Sequence, residues 1–120
     1  MFTSTDESGG PGVAISYLSP RAGNVAGIDV RSLPPGTEIE VDTHNSRYRF
    51  VMLDGSGSTA LVQGGPYFQE ETNVRINGSL LEGSLLKSGW IGLGMRVEVL
   101  AGSQRVATSR VRSITIVEAT

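Results

Sequence analysis

Glycine interrupts this chain at short intervals, and this feature constrains the fold more than any other. The chain holds 16 glycines among its 120 residues. Between them, apolar and polar residues alternate with a period of two, which is typical of β-strands that have one buried face. Short strands between frequent turns favour a sandwich or a small barrel. We therefore predict an all-β fold, a small antiparallel β-barrel or compact sandwich of about seven or eight short strands, with little or no helix.

The alternation is clearest from residue 37 to residue 43. Ile39 and Val41 share one predicted face of this strand, and the other face carries three carboxylates, those of Glu38, Glu40 and Asp42. A second strand is predicted from 47 to 53, after a turn at 44–46. Tyr48, Phe50 and Met52 share one face of it, and the other face carries Val51 and Leu53 beside two arginines, so its far half is apolar on both sides.

The chain length favours a single domain. Residues 1–12 are mostly Ser, Thr, Gly, Pro and acidic residues, so we expect a flexible tail there and a single β domain over 13–120. Two similar pentapeptides, 78–82 and 83–87, follow each other and fit neither a strand nor a helix. We expect this leucine-rich connection to plug one end of the barrel.

The absence of cysteine excludes several kinds of site. A chain without thiols has no disulfide, zinc–thiolate centre, iron–sulfur cluster or thiol nucleophile. Such a chain also suits a reducing cytoplasm. Residues 1–8 show no basic run followed by an apolar stretch, and no segment approaches the ~20 apolar residues of a membrane helix. We therefore expect a cytoplasmic protein that does not enter the membrane.

The charge balance argues against nucleic acid as a partner. The formal net charge is −2, and two of the 12 acidic residues, Asp6 and Glu7, lie in the predicted tail. The rest of the chain then has 10 acidic residues (12 minus 2) against 10 basic ones, and is neutral. Nucleic-acid binders normally carry a basic face.

His44 is the single histidine and the one candidate for a catalytic base. It lies in a turn near Asp42 and Ser46, so a hydrolase centred on His44 is the weaker alternative. No glycine-flanked nucleophile motif accompanies it. The carboxylates of the acidic strand lie roughly 7 Å apart, too far for neighbours to share one ion. We therefore expect no enzyme activity, no metal site and no cofactor.

The segment 66–71 is the strongest candidate for a binding surface. Two adjacent aromatic residues, Tyr67 and Phe68, are followed by two acidic residues, Glu70 and Glu71. Loops on a rigid β scaffold often carry binding residues, and Tyr is favoured at interfaces. The alternative is that one ring caps the core while the acidic residues stay in water.

Trp90, Arg47 and Arg49 form a second set of binding candidates. Trp90 is the single tryptophan, and it is either a core anchor or a binding aromatic. The glycines around it, at 89–94, match no phosphate-binding motif and more simply allow a strand to bend. Arginine suits bidentate recognition of anions. These residues would serve a barrel that binds a small anion or sugar.

The glycine- and leucine-rich stretch 83–114 resembles the second-domain barrel of translation GTPases. In that family a step written G-x-L-K-x-G leads into a V-E-V strand, and this chain has Gly83-Ser-Leu-Leu-Lys-Ser-Gly89 before Val97-Glu-Val99. Residues 90–93 interrupt the step. The resemblance implies a barrel fold, and no functional residue is carried over from it.

The function that these observations favour is a non-catalytic interaction module. We expect it to bind a protein or to self-associate, through an exposed strand edge or through the 66–71 segment. A barrel that binds a small ligand is the alternative.

Overall fold

A computed structural model of the chain describes residues 22–81 and 85–117. Most of these residues lie in antiparallel strands, so the all-β fold class is confirmed. The described strands are β1 (Ala22–Val25), β2 (Gly27–Asp29), β3 (Glu38–Thr43), β4 (Arg47–Asp54), β5 (Thr59–Gly64), β6 (Phe68–Leu80), β7 (Leu86–Ser88), β8 (Trp90–Gly92), β9 (Arg96–Ala101) and β10 (Gln104–Val117). One turn of 3-10 helix, Val30–Ser32, joins β2 to the approach of β3.

Six of the strands pair in a closed ring, which gives a barrel-like fold. Strands β3, β4, β5 and β6 pair in chain order, β6 pairs with β9, and β9 pairs with β10. The pairing of β10 with β3, for example Ile114 with Val41, returns the ring to its start. Each strand of the ring therefore has a partner on both sides, which leaves few open edges.

The alternation seen in the sequence decides which side chains fill the ring. Ile39 and Val41 of β3 are fully buried, and so are the inward residues of β4. The other strands contribute buried valines and isoleucines at every second position, as in Ile76, Val99 and Ile114. Together these side chains form one continuous core. Within the described residues, side chains therefore fill the inside of the ring, as in other small barrels.

Four short strands lie outside the ring. β1 pairs only with the end of β10, and β2 pairs with β8 in a separate two-stranded ribbon. β7 pairs with the last residues of β6, on the same side of β6 as β5 but beyond the residues that pair with β5. These additions explain why the described strands number ten.

The structure differs from the sequence prediction in three places. Strand β6 starts at Phe68, so much of the predicted 66–71 loop is strand. Part of the leucine-rich connection is strand as well, since residues 78–80 belong to β6 and residues 86–87 to β7. This connection does not plug the ring, because Leu81, Leu85 and Leu86 are exposed. The predicted tail, residues 1–12, lies outside the described residues.

Candidate functional site

Three of the six large apolar side chains that are exposed among the described residues lie where β6 ends and β7 begins. Leu81, Leu85 and Leu86 expose 36%, 66% and 40% of their surface, and we call these three residues the leucine edge. Leu81 donates its backbone N–H to the carbonyl of Leu85 at 2.8 Å, which closes the connection between the two strands. Such a cluster is unusual on a protein that works alone, since contiguous apolar patches commonly mark contact sites.

Glycines hold β7 close to the ring. Gly78 has a positive φ of 142°, and a side chain there would overlap the backbone carbonyl of Lys87. Gly89, also at positive φ, donates its N–H to Asn77 and accepts from the N–H of Val30. Between these glycines β7 lies along β6, with Leu86 opposite Leu80. The other side of β7 pairs with no described strand, so its backbone groups are open to a further strand.

A shallow groove of about 510 Å³ runs from the leucine edge across the outer face of the ring. Its apolar lining comes from three leucines: Leu80, Leu86 and Leu100. Its polar lining comes from five residues of β6, β9 and β10 and of the turn between the last two: Arg75, Asn77, Glu98, Ser103 and Arg105. The amide of Asn77 donates to the Glu98 carboxylate at 2.9 Å. Among the described residues, neither Arg75 nor Arg105 forms an ion pair.

Arginines surround the groove. Arg75 and Arg105 both lie opposite Leu100 in the ladder, one on each side of it. Arg96 lies opposite Leu80 and next to Arg110. We call these four arginines of β6, β9 and β10 the arginine face. Within residues 22–81 and 85–117, none of the four has a carboxylate oxygen within 4.0 Å.

On β4, by contrast, two arginines are paired with carboxylates. Arg47 of β4 contacts Asp42 of β3 at 2.6 Å, and Arg49 contacts Glu38 at 3.0 Å and Glu71 at 3.1 Å. Hydrogen bonds from Arg47 hold the pKa of Asp42 below its ordinary value. Hydrogen bonds to Glu38 and Glu71 raise the pKa of Arg49. Arg47 and Arg49 are therefore on the outer surface and in ion pairs, not aimed into a pocket.

The pairing of Asp42 predicts its titration. We expect the Asp42 carboxyl to protonate at lower pH than an ordinary aspartate, and Arg47→Gln to move its pKa upward. Since the folded pKa is the lower one, the pair stabilises the fold above the pKa of the unfolded chain. That contribution is lost as the pH falls through the folded pKa. Carboxyl-carbon NMR against pH measures the shift, and Arg49→Gln is the matched control, which leaves the Asp42 pair intact. An Asp42 titration that is the same in all three proteins would contradict the ion pair.

The structure separates the two aromatic residues of the 66–71 segment. Tyr67 sits in the turn before β6 and is 67% exposed, whereas Phe68 is 4% exposed and belongs to the core. Glu71 joins Arg49 in its ion-pair network, and Glu70 is exposed. Of the predicted patch, Tyr67 therefore offers exposed aromatic surface and Phe68 does not.

Trp90 lies on the β2–β8 ribbon and is half-buried. Its ring packs over Gly27, where a side chain would overlap it, and the ammonium of Lys87 lies 4.0 Å from the ring centre. A cation–π contact of this kind is worth about 0.5–1 kcal/mol at an exposed site. The indole of Trp90 thus already has neighbours from its own chain, at Gly27 and at Lys87.

His44 does not form the pair that a hydrolase would need. The Asp42 carboxylate accepts hydrogen bonds from Arg47 and from Ser113, at 3.3 Å for the latter, while His44 is exposed in the β3–β4 turn. The described residues contain no group of three or more His, Cys, Asp or Glu side chains that could hold a metal ion. Among the same residues, no helix has the length and apolar character needed to cross a membrane.

The leucine edge and the arginine face were not predicted as binding features. The repeated pentapeptides did mark the leucines as unusual, because four leucines between glycines match no regular period. For the arginines the sequence offers no comparable signal, since their common face depends on how β6, β9 and β10 pair.

Comparisons with known proteins add no functional information. No protein-family model matches the chain, and no curated protein and no solved structure matches it. The resemblance of 83–114 to translation GTPase barrels therefore stays a prediction, and the functional argument rests on the geometry of the site.

Proposed function

We propose that this domain is a non-catalytic protein-interaction module that binds its partner at the leucine edge and the groove beside it. The observation that carries the proposal is the exposure of Leu81, Leu85 and Leu86 at and beside the start of β7, whose other side pairs with no described strand. Burying such side chains against a partner removes apolar surface from water, at about 25 cal/mol per Å². A cytoplasmic setting is part of the proposal and rests on the cysteine-free composition.

The alternative, a barrel that binds a small anion or sugar, has less support. Apolar side chains fill the ring, and the groove is open and shallow rather than enclosed. Binding sites for small ligands are usually concave and bury most of the ligand. Arg47 and Arg49, the candidates for an anion site, already have carboxylate partners. The groove is therefore better suited to a protein segment than to a free small molecule.

Two leucines provide the test of this proposal. The double variant Leu85→Ser, Leu86→Ser should lose at least ~10-fold in affinity for the partner, since central interface anchors are worth ~2 kcal/mol or more. The domain should still fold, because exposed substitutions usually change stability by less than ~0.5 kcal/mol. The measurement is quantitative affinity capture from the source organism, with thermal unfolding of the same proteins.

The matched control is Leu53→Ser. Leu53 is 39% exposed, similar to Leu86, but lies at the end of β4. We expect the control to retain a protein that the double variant loses. The same captured proteins in the wild type and in the folded double variant would contradict the proposal. Light scattering of the purified domain identifies a second copy of the chain as the partner if the wild type is dimeric and the double variant is monomeric.

A further inference from the structure

The charges around the groove lead to the chemistry of the partner. We propose, building on the function above, that the partner contributes an extended segment that carries both acidic and apolar side chains. The segment lies across the groove and reaches the edge of β7, with its apolar side chains on the leucines and its carboxylates on the arginine face and Lys87.

The first step is the unequal pairing of the arginines. Arg31, Arg47 and Arg49 each contact a carboxylate of their own chain. The four residues of the arginine face contact no carboxylate among the described residues, and two of them are hydrogen-bonded only to backbone carbonyls: Arg96 to Thr108 and Arg110 to Gly94, both at 2.9 Å. Among the described lining residues of the groove, Glu98 is the single acidic one. The described residues of the groove and the arginine face therefore carry four arginines against one glutamate, although the whole chain has a net charge of −2. Opposite charge on a partner would favour both its rate of encounter and its orientation.

The second step is the apolar lining, which favours protein over nucleic acid. Leu80, Leu86 and Leu100 line the groove, and no aromatic side chain is among its lining residues. Proteins that bind single-stranded nucleic acid combine positive charge with aromatic rings on which bases stack. An aliphatic surface flanked by arginines instead suits a protein segment that carries both apolar and acidic side chains.

The third step is the open edge of β7. A peptide can add a strand to such an edge through main-chain hydrogen bonds, and its side chains then point alternately to the two faces. Lys87, the middle residue of β7, gives this edge a positive charge as well. A strand added there would turn one set of its side chains to the face of Leu86 and the other set to the face of Lys87, so acidic side chains are favoured at this edge as well.

The same residues disfavour a second copy of this chain as the occupant. Symmetric antiparallel pairing of two β7 strands about their middle residue would place Lys87 opposite Lys87. Like charges directly opposite each other destabilise a sheet. A symmetric contact through the groove would also bring two arginine faces together.

Fluorescence anisotropy with synthetic peptides tests the proposal. The probes are a labelled eight-residue peptide of alternating Leu and Glu, and a matched peptide of alternating Leu and Lys. We expect the Leu/Glu peptide to bind at least ~10-fold more tightly than the Leu/Lys peptide at low ionic strength. The double variant Arg75→Glu, Arg105→Glu should weaken that binding by ~10-fold or more. Arg112→Glu, at an exposed position of β10 that does not line the groove, should change it by less than ~3-fold.

Each other outcome is decisive. Equal binding of the two peptides, with loss in Leu85→Ser, Leu86→Ser, would overturn the acidic preference and leave the interaction function standing. Binding of neither peptide at protein concentrations up to ~1 mM, a ΔG of about −4 kcal/mol, would overturn the acidic segment; the capture experiment above then decides the interaction function separately. A labelled 20-nucleotide oligothymidylate that binds more tightly than the Leu/Glu peptide, and loses affinity in Arg75→Glu, Arg105→Glu, would assign the face to nucleic acid instead.

Discussion

Replacing Phe68 by alanine is expected to lower the free energy of unfolding by about 3–5 kcal/mol. Replacing its neighbour Tyr67 by alanine is expected to change it by less than ~0.5 kcal/mol. The reason is their placement on opposite sides of the same strand start: Phe68 is 4% exposed and Tyr67 67% exposed. Removing a buried ring costs its transfer free energy and leaves a cavity, whereas an exposed ring loses little contact.

Urea unfolding of the two single variants measures this difference. The pair is its own control, because both changes remove an aromatic ring and lie one residue apart. Equal and small effects would show that Phe68 is not in the core. Equal and large effects would show that Tyr67 packs against the chain rather than facing water.

Gly78→Ala is the second substitution with a large expected effect. Gly78 has a φ of 142°, a region that costs other residues roughly 1–2 kcal/mol, and a methyl group there would also overlap the backbone of β7. We expect a loss of at least ~2–3 kcal/mol of stability, because the overlap adds to the strain. We also expect faster amide exchange in β7, since relieving the overlap moves this strand away from β6.

Gly102→Ala is the control that measures the cost of a positive φ alone, without a steric overlap. Gly102 also has a positive φ, 63°, but no atom lies within 4 Å of the position of its added methyl group. This control should lose only ~1 kcal/mol and leave the amide exchange of β7 unchanged. A loss in Gly78→Ala no greater than in Gly102→Ala would contradict the close packing of β7 on β6, and with it the position of the leucine edge.

The alternation of side chains made much of the fold predictable. Ile39 and Val41 are buried and Glu38 lies on the outer side, as their spacing indicated. Turns at 44–46 and after Asp54 were visible because Asn, Gly and Ser occur there. These features are local, and the alternation of apolar and polar residues along a strand indicates them directly.

The closure of the ring was not predictable in the same way. It depends on the pairing of β10 with β3, which joins residues about seventy positions apart, for example Ile114 with Val41. The length of β6 was missed for a related reason. Residues 69–71 are polar and looked like a loop, yet β5 pairs with Phe68 at the start of this strand and draws the segment into the sheet.

The candidate site was predicted least well, because it depends on the space left inside the fold and on which charges find partners. Leu85 and Leu86 were expected inside, but the ring is already filled by residues such as Phe50 and Met52. Likewise, a near-zero net charge does not reveal that Arg47 is paired while Arg75 and Arg105 contact no carboxylate of the described residues. Both facts need the three-dimensional arrangement.

The most direct test of the interaction surface is site-specific photo-crosslinking in the source organism. Benzoylphenylalanine is placed at Leu85 in one protein and at Tyr67 in another, two positions of nearly equal exposure, 66% and 67%. We predict a covalent adduct with a partner protein from position 85 and none from position 67. An adduct from position 67 and none from position 85 would contradict the leucine edge as the binding surface and favour the turn before β6 instead.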